Sequence, residues 1–101
     1  MNYLYSYFTL TGLDHYLGNT DLNIGDSIVM KRDYENRYDP DAIQIWKGDD
    51  LRGYVANSEH TAFCATIPAS ELVGMFNTSN KKHEAVIEVV FSNFAICKVI
   101  A

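Results

Sequence analysis

Apolar and polar residues alternate along this chain in short runs, and each run is stopped by glycine, proline or an Asn/Asp cluster. Period two fits pleated strands with two distinct faces and does not fit an amphipathic helix. In Asn2–Leu10, Leu4, Phe8 and Leu10 fall on one face, with Tyr3, Tyr5 and Tyr7 on the other. Thr11–Gly25 carries Gly12, Gly18 and Gly25 with Asn and Asp between them, a loop with turns. Asp26–Asp33 reads as a second strand, Glu35–Asp41 as a turn-rich loop, and Ala42–Lys47 as a third strand with Ile43 and Ile45 against Gln44 and Trp46. Gly48-Asp49-Asp50 is a hairpin turn into Leu51–Val55. Ser58 can cap a helix running to Ala65; Pro68 interrupts it, and Ala69–Phe76 forms a second helical piece. After a loop at Asn77–Lys82, Glu84–Phe91 alternates Ala85, Ile87, Val89 and Phe91 against Val86, Glu88 and Val90. Ser92-Asn93 turns the chain into the last strand, Phe94–Ile100. Six strands with one or two short helices predict a mainly β fold, a small six-stranded barrel or half-barrel closed by non-local pairing.

A chain of 101 residues has room for one domain, spanning 1–101. Hydrophobic residues make up 48%, which excludes a disordered chain, yet no apolar run is long enough for a membrane span. Met1–Leu10 lacks the basic and apolar regions of a signal peptide, so the expected compartment is the cytoplasm, with Cys64 and Cys97 reduced. The net charge of −5 constrains partners more strongly. Five of the eight basic residues, Lys31, Arg32, Arg37, Lys47 and Arg52, lie within 31–52, but six acids lie there too. A broad phosphate-binding surface is excluded, and any nucleic-acid site must be local.

Catalytic and metal motifs are absent. There is no GxSxG elbow, phosphate loop or HExxH, so no enzyme activity is expected. His60 and Cys64 are one loose pair, with His83 and Cys97 far away in sequence, short of the clustered ligands that structural zinc requires. No cofactor is expected. The informative stretch runs from Lys31 to Ile43. Asn36 and Asp39 can bond nearby backbone and shape an irregular turn. Tyr38 and Asp39 also set an aromatic face beside an acceptor, with Arg32 and Arg37 close by, a set able to stack an unpaired base and hold a sugar hydroxyl or phosphate.

This stretch resembles the HIRAN domain, whose run is Arg-Glu-Pro, then Asn, then Tyr-Asp, then Ala-Ile. Arg32, Asn36, Tyr38, Asp39, Ala42 and Ile43 match it, while Asp33 replaces Glu and Tyr34 replaces Pro. Gly12-Leu13-Asp14-His15-Tyr16-Leu17-Gly18 resembles the family's upstream loop, and Gly53-Tyr54-Val55 its Gly-Tyr-Ile/Val strand. The likeness spans about residues 8–76. It implies a compact OB/SH3-like β-barrel and a pocket that grips the 3′ end of single-stranded DNA. Tyr38 would stack the terminal base, and Asp39 would accept a hydrogen bond from the 3′-hydroxyl. Where the family's DNA-binding members carry an Arg-Tyr pair, this chain has Asp14-His15; Asn57 replaces a basic residue and Tyr54 a histidine. Losing two cations and gaining a carboxylate weakens phosphate binding by a few kcal/mol, at ~1.5–3 kcal/mol per charge-assisted bond.

The resulting expectation is a module that binds single-stranded DNA 3′ ends weakly, through Tyr38 and Asp39, surrounded by His15, Tyr16, Arg37, Tyr54 and Asn57. The alternative is a protein-interaction or oligomerisation module on the same barrel, serving a partner in DNA metabolism. Weak self-association is expected through an edge strand at Asn2–Leu10 or the C-terminal strand.

Overall fold

A computed structural model describes residues 6–58, 66–76 and 83–100. It contains β1 (Tyr7–Thr11), β2 (Ser27–Arg32), β3 (Ile43–Lys47), β4 (Asp50–Val55), α1 (Ala69–Leu72), β5 (His83–Val90) and β6 (Ala95–Ile100). A short 3-10 turn, Leu13–His15, follows β1, and another, Val73–Phe76, extends α1. The strands pair antiparallel in the order β1-β4-β3-β2-β5-β6, and β6 returns to β1, closing the barrel that the alternation predicts. The predicted helix after Ser58, the loop Asn77–Lys82 and residues Tyr3, Leu4 and Tyr5 lie outside the described residues.

Inward-facing side chains fill the barrel. Phe8, Leu10, Ile28, Met30, Ile43, Ile45, Ala85, Ile87, Ala95 and Cys97 form one buried cluster, joined by Leu13 and Leu22 from the β1–β2 loop and Leu72 from α1. Each large side chain buried this way contributes about 1.5–3 kcal/mol. Burial also pushes the Cys97 thiol far above its ordinary range, so it stays protonated and inert. The β3–β4 hairpin turns on two residues, since Lys47 pairs with Asp50, and Gly48 takes φ +59, which costs glycine nothing.

Three features differ from simple alternation. Thr9 is buried although it faces away from Phe8 and Leu10, because the segment entering α1 lies over β1. Its hydroxyl meets that of Thr66 at 2.7 Å, and the Ile67 N–H donates to the Tyr7 carbonyl at 2.8 Å. On β5, the pairing with β6 shifts between Ile87 and Val89, leaving Glu88 as a bulge. Val89 and Phe91 are therefore exposed, contrary to their expected place on the face of Ala85 and Ile87. The third is a bulge on β4. Ile45 pairs with Gly53 and Trp46 with Leu51, so Arg52 is the extra residue. Such bulges bend a strand and re-aim a side chain. Arg52 turns inward, only 2% exposed, and its Nη2 donates to the Gly18 and Thr20 carbonyls at 3.0 and 2.6 Å, tying down the β1–β2 loop.

Closure also removes the expected edges. Tyr7, Phe8, Thr9 and Leu10 pair with Lys98, Cys97, Ile96 and Ala95, so β1 and the C-terminal strand satisfy each other. Neither offers the row of open backbone groups on which strand-mediated self-association depends.

Gly53 is where closure is tightest. A Cβ built there would lie 2.3 Å from the Thr11 carbonyl oxygen and 2.9 Å from Leu10 Cδ1. Since the first obstacle is backbone, β1 and β4 would have to separate. Gly53→Ala is expected to destabilise the fold by roughly 3 kcal/mol or more, read from its urea midpoint.

A second expectation concerns Asp26, whose carboxylate accepts from Lys47 Nζ at 2.8 Å and from the Asn23 N–H at 2.8 Å. The Lys47 bond first, and the Asn23 bond second, hold this carboxyl below its ordinary value. A depressed folded-state value gives stability that is complete above the unfolded pKa and disappears as pH falls through the folded one. Asp26→Asn should therefore lower the melting temperature at pH 7, and the difference from wild type should begin to shrink below about pH 4 and vanish only as pH falls past the depressed folded-state value.

Candidate nucleic-acid interface

The loop between β2 and β3 is organised by its own short polar side chains. Its base is closed by the Asp33 N–H, which donates to the Ala42 carbonyl at 2.9 Å. Asn36 Oδ1 accepts from the N–H groups of both Tyr38 and Asp39, each at 2.9 Å. Asp39 Oδ1 in turn accepts from the Asp41 N–H at 2.9 Å. These bonds replace the ladder that a loop lacks, which is why Asn and Asp suit such turns. The expected turn-shaping role of both residues is present. Its by-product is Tyr38, whose side chain is lifted clear of the barrel at 97% exposure.

Other elements lock onto the loop. Asp39 Oδ2 accepts from Asn57 Nδ2 at 3.1 Å, and Asn57 Oδ1 accepts from the Ser70 N–H at 2.7 Å. The loop is thereby fastened to the end of β4 and the start of α1. Asp33 Oδ2 accepts from the Tyr54 hydroxyl at 2.9 Å and from Asn36 Nδ2 at 3.4 Å. The Tyr16 ring lies 6.3 Å from that of Tyr54, tilted by 43°. Tyr16, Tyr54, Asn57, Tyr38 and Asp39 are thus brought into one connected set, as the motif series suggests. His15 and Arg37 are exposed and are adjacent in the chain to Tyr16 and Tyr38. Asp33 is the member that sequence reasoning passed over, although its place in the motif marks it.

Burial raises the Tyr54 phenol above its ordinary value, and the neighbouring Asp33 carboxylate adds to the shift. Tyr54 accordingly remains a hydrogen-bond donor at neutral pH. A carboxylate offers about four acceptor positions over its two oxygens. Asn57 and the Asp41 N–H take one on each Asp39 oxygen, leaving room for a further donor beside Tyr38.

Few of the clustered cations are free to meet phosphate. Arg52 is buried, and Lys47 is engaged by Asp26 and by the Asp21 carbonyl. Arg32 Nη2 donates to the Pro40 carbonyl at 2.9 Å while its guanidinium lies 4.8 Å from the Tyr34 ring centre. Arg37 and Lys31 are exposed, the latter 4.9 Å from the Trp46 ring centre. Among the described residues no three His, Cys, Asp or Glu side chains are grouped to hold a metal, and no helix is long and apolar enough to cross a membrane. His60 and Cys64 lie outside those residues.

The loop motif and its supports are matched by a family model, described as the HIRAN domain, over residues 3–90. The chain belongs to the HIRAN family. Its fold is similar to the crystal structure of the HIRAN domain of human HLTF, with a TM-score of 0.69 at 18% identity, over 92% of this chain and 70% of that one. It is also similar to a structure of a protein from Lactobacillus plantarum, with a TM-score of 0.59 at 16% identity, over 95% and 93% of the two chains. No match was found among curated protein sequences.

If Asn57 fastens the loop, then Asn57→Ala removes two bonds at once. It should lower unfolding free energy by about 1–2 kcal/mol in a urea titration. An unchanged midpoint would show that the bridge contributes nothing.

Proposed function

We propose that this HIRAN domain binds the 3′ end of single-stranded DNA, weakly, with Tyr38 stacking the terminal base and Asp39 accepting from the 3′-hydroxyl. The observation that carries this reading is the pairing of an exposed aromatic ring with a carboxylate, on the next residue, that is held by two hydrogen bonds. An exposed tyrosine on a loop fixed by its own hydrogen bonds is a stacking platform that loses little entropy on binding. Tyr54, Tyr16 and Asn57 support it from the barrel, and His15 and Arg37 border it. Affinity is low because the net charge is −5 and Asp14 stands exposed near the site.

A protein-docking role on the same barrel is the second reading. It is favoured by Val89 and Phe91, which stand exposed at the turn end of the β5–β6 hairpin.

The end chemistry separates the two. A carboxylate facing a hydroxyl gains a charge-assisted bond, whereas facing a phosphate it meets like charge. Strands ending in a 3′-hydroxyl should bind roughly ten- to a hundred-fold more tightly than the same strands ending in a 3′-phosphate. Asp39→Asn should narrow that gap, and Tyr38→Ala should weaken both ends by ~1–3 kcal/mol. Fluorescence anisotropy with labelled oligonucleotides measures all three, and equal binding of both ends would sink end recognition.

A further inference from the structure

Beside the Tyr38 loop, the outer face of β2, β3 and β4 carries an aromatic and cationic strip that the end pocket does not use. With Ile28, Met30, Ile43 and Ile45 turned into the core, Val29, Lys31, Gln44 and Trp46 face outward. Register places Lys31 opposite Gln44 on one side of β3 and Tyr54 opposite Gln44 on the other. Side-chain contacts together with strand register link the pocket to this face. Tyr54 donates to Asp33 beneath the loop at 2.9 Å, Trp46 Nε1 donates to Gln44 Oε1 at 2.9 Å, and Lys31 Nζ sits 4.9 Å from the Trp46 ring centre.

We infer that a single strand seated at Tyr38 continues across this face, with a base on Trp46 and a phosphate on Lys31. The inference rests on the proposed end-binding reading. Indole stacking serves any base, because every base has a π face. The Trp46 N–H is already satisfied by Gln44, so a base can cover the ring without stranding a donor. The exposed Lys31 ammonium is held over the ring only by cation–π attraction, and can move to a phosphate as the base arrives. Charge sets the direction. From Tyr54 the opposite route leads over Tyr16 towards the exposed Asp14 carboxylate, which repels phosphate, whereas the β3 route leads to Lys31. Farther along, Lys47 is neutralised by Asp26, so Lys31 is the cation that this face presents among the described residues.

Trp46 is the one tryptophan in the chain, so intrinsic emission reports on this face directly. The probes are a thymidine dinucleotide and an oligothymidine of about eight residues, both ending in a 3′-hydroxyl. The longer strand should quench Trp46 emission and bind roughly tenfold more tightly than the dinucleotide. Lys31→Gln, a change at an exposed side chain, should remove most of that advantage and flatten the slope of log affinity against log salt by about 0.7. Tyr38→Ala should weaken both lengths. Unmoved emission at saturation, with equal affinity of wild type and Lys31→Gln for the longer strand, overturns the path across β3. The end pocket still stands in that case if Tyr38→Ala weakens both probes. If wild type binds neither probe, both readings fall together.

Discussion

Closing six short strands into a barrel requires β4 to hydrogen-bond β3 on one side and, at its C-terminal end, β1 on the other, and this bend governs much else in the molecule. It is achieved at Arg52-Gly53, where one residue bulges and the next has no Cβ to strike the Thr11 carbonyl. Past the bend, Tyr54 and Val55 pair with Thr11 and Leu10. The bulged Arg52 cannot point outward with its neighbours, so it reaches inward to the carbonyls of Gly18 and Thr20. The β1–β2 loop is thereby drawn onto the barrel, and Tyr16 comes to rest against Tyr54. One local irregularity thus fixes two walls of the candidate site.

The third wall assembles from within. Asn36 and Asp39 form the β2–β3 loop through side-chain bonds to backbone N–H groups, at a separation of two or three residues. Tertiary structure then uses the remaining capacity of the same groups. Asn57 reaches Asp39, and Asn36 together with Tyr54 reaches Asp33. Carboxylates that look like a liability for an anionic ligand are, in this arrangement, partly consumed as acceptors inside the protein. Asp33 and Asp39 are occupied in this way, while Lys31 and Arg37 remain exposed.

The motif around Tyr38-Asp39 was readable because turn-forming side chains act over a few residues, so spacing in the chain is nearly spacing in space. The strand series was readable for the same reason, since alternation reports a face without requiring its partner. Val89, Thr9 and Arg52 were not. Whether Val89 faces in or out depends on a one-residue slip against β6, and Thr9 is buried only because residues far along the chain lie over it. Arg52 looked like one more surface cation in a basic cluster, and became a buried loop anchor once β4 bulged.

Local chemistry therefore sufficed for the six strands, the loop, and the residue types gathered around Tyr38. Three-dimensional pairing decided the rest: which strands have edges, which cations are exposed, and how Asn57 is used. In the chain, Asn57 reads as a missing positive charge; in the barrel its amide joins Asp39 to Ser70. The physical reason is common to all three cases. Hydrogen bonds within a turn are specified by neighbours in the chain, whereas burial, register and charge pairing depend on segments tens of residues apart. Only closing the barrel brings those segments together.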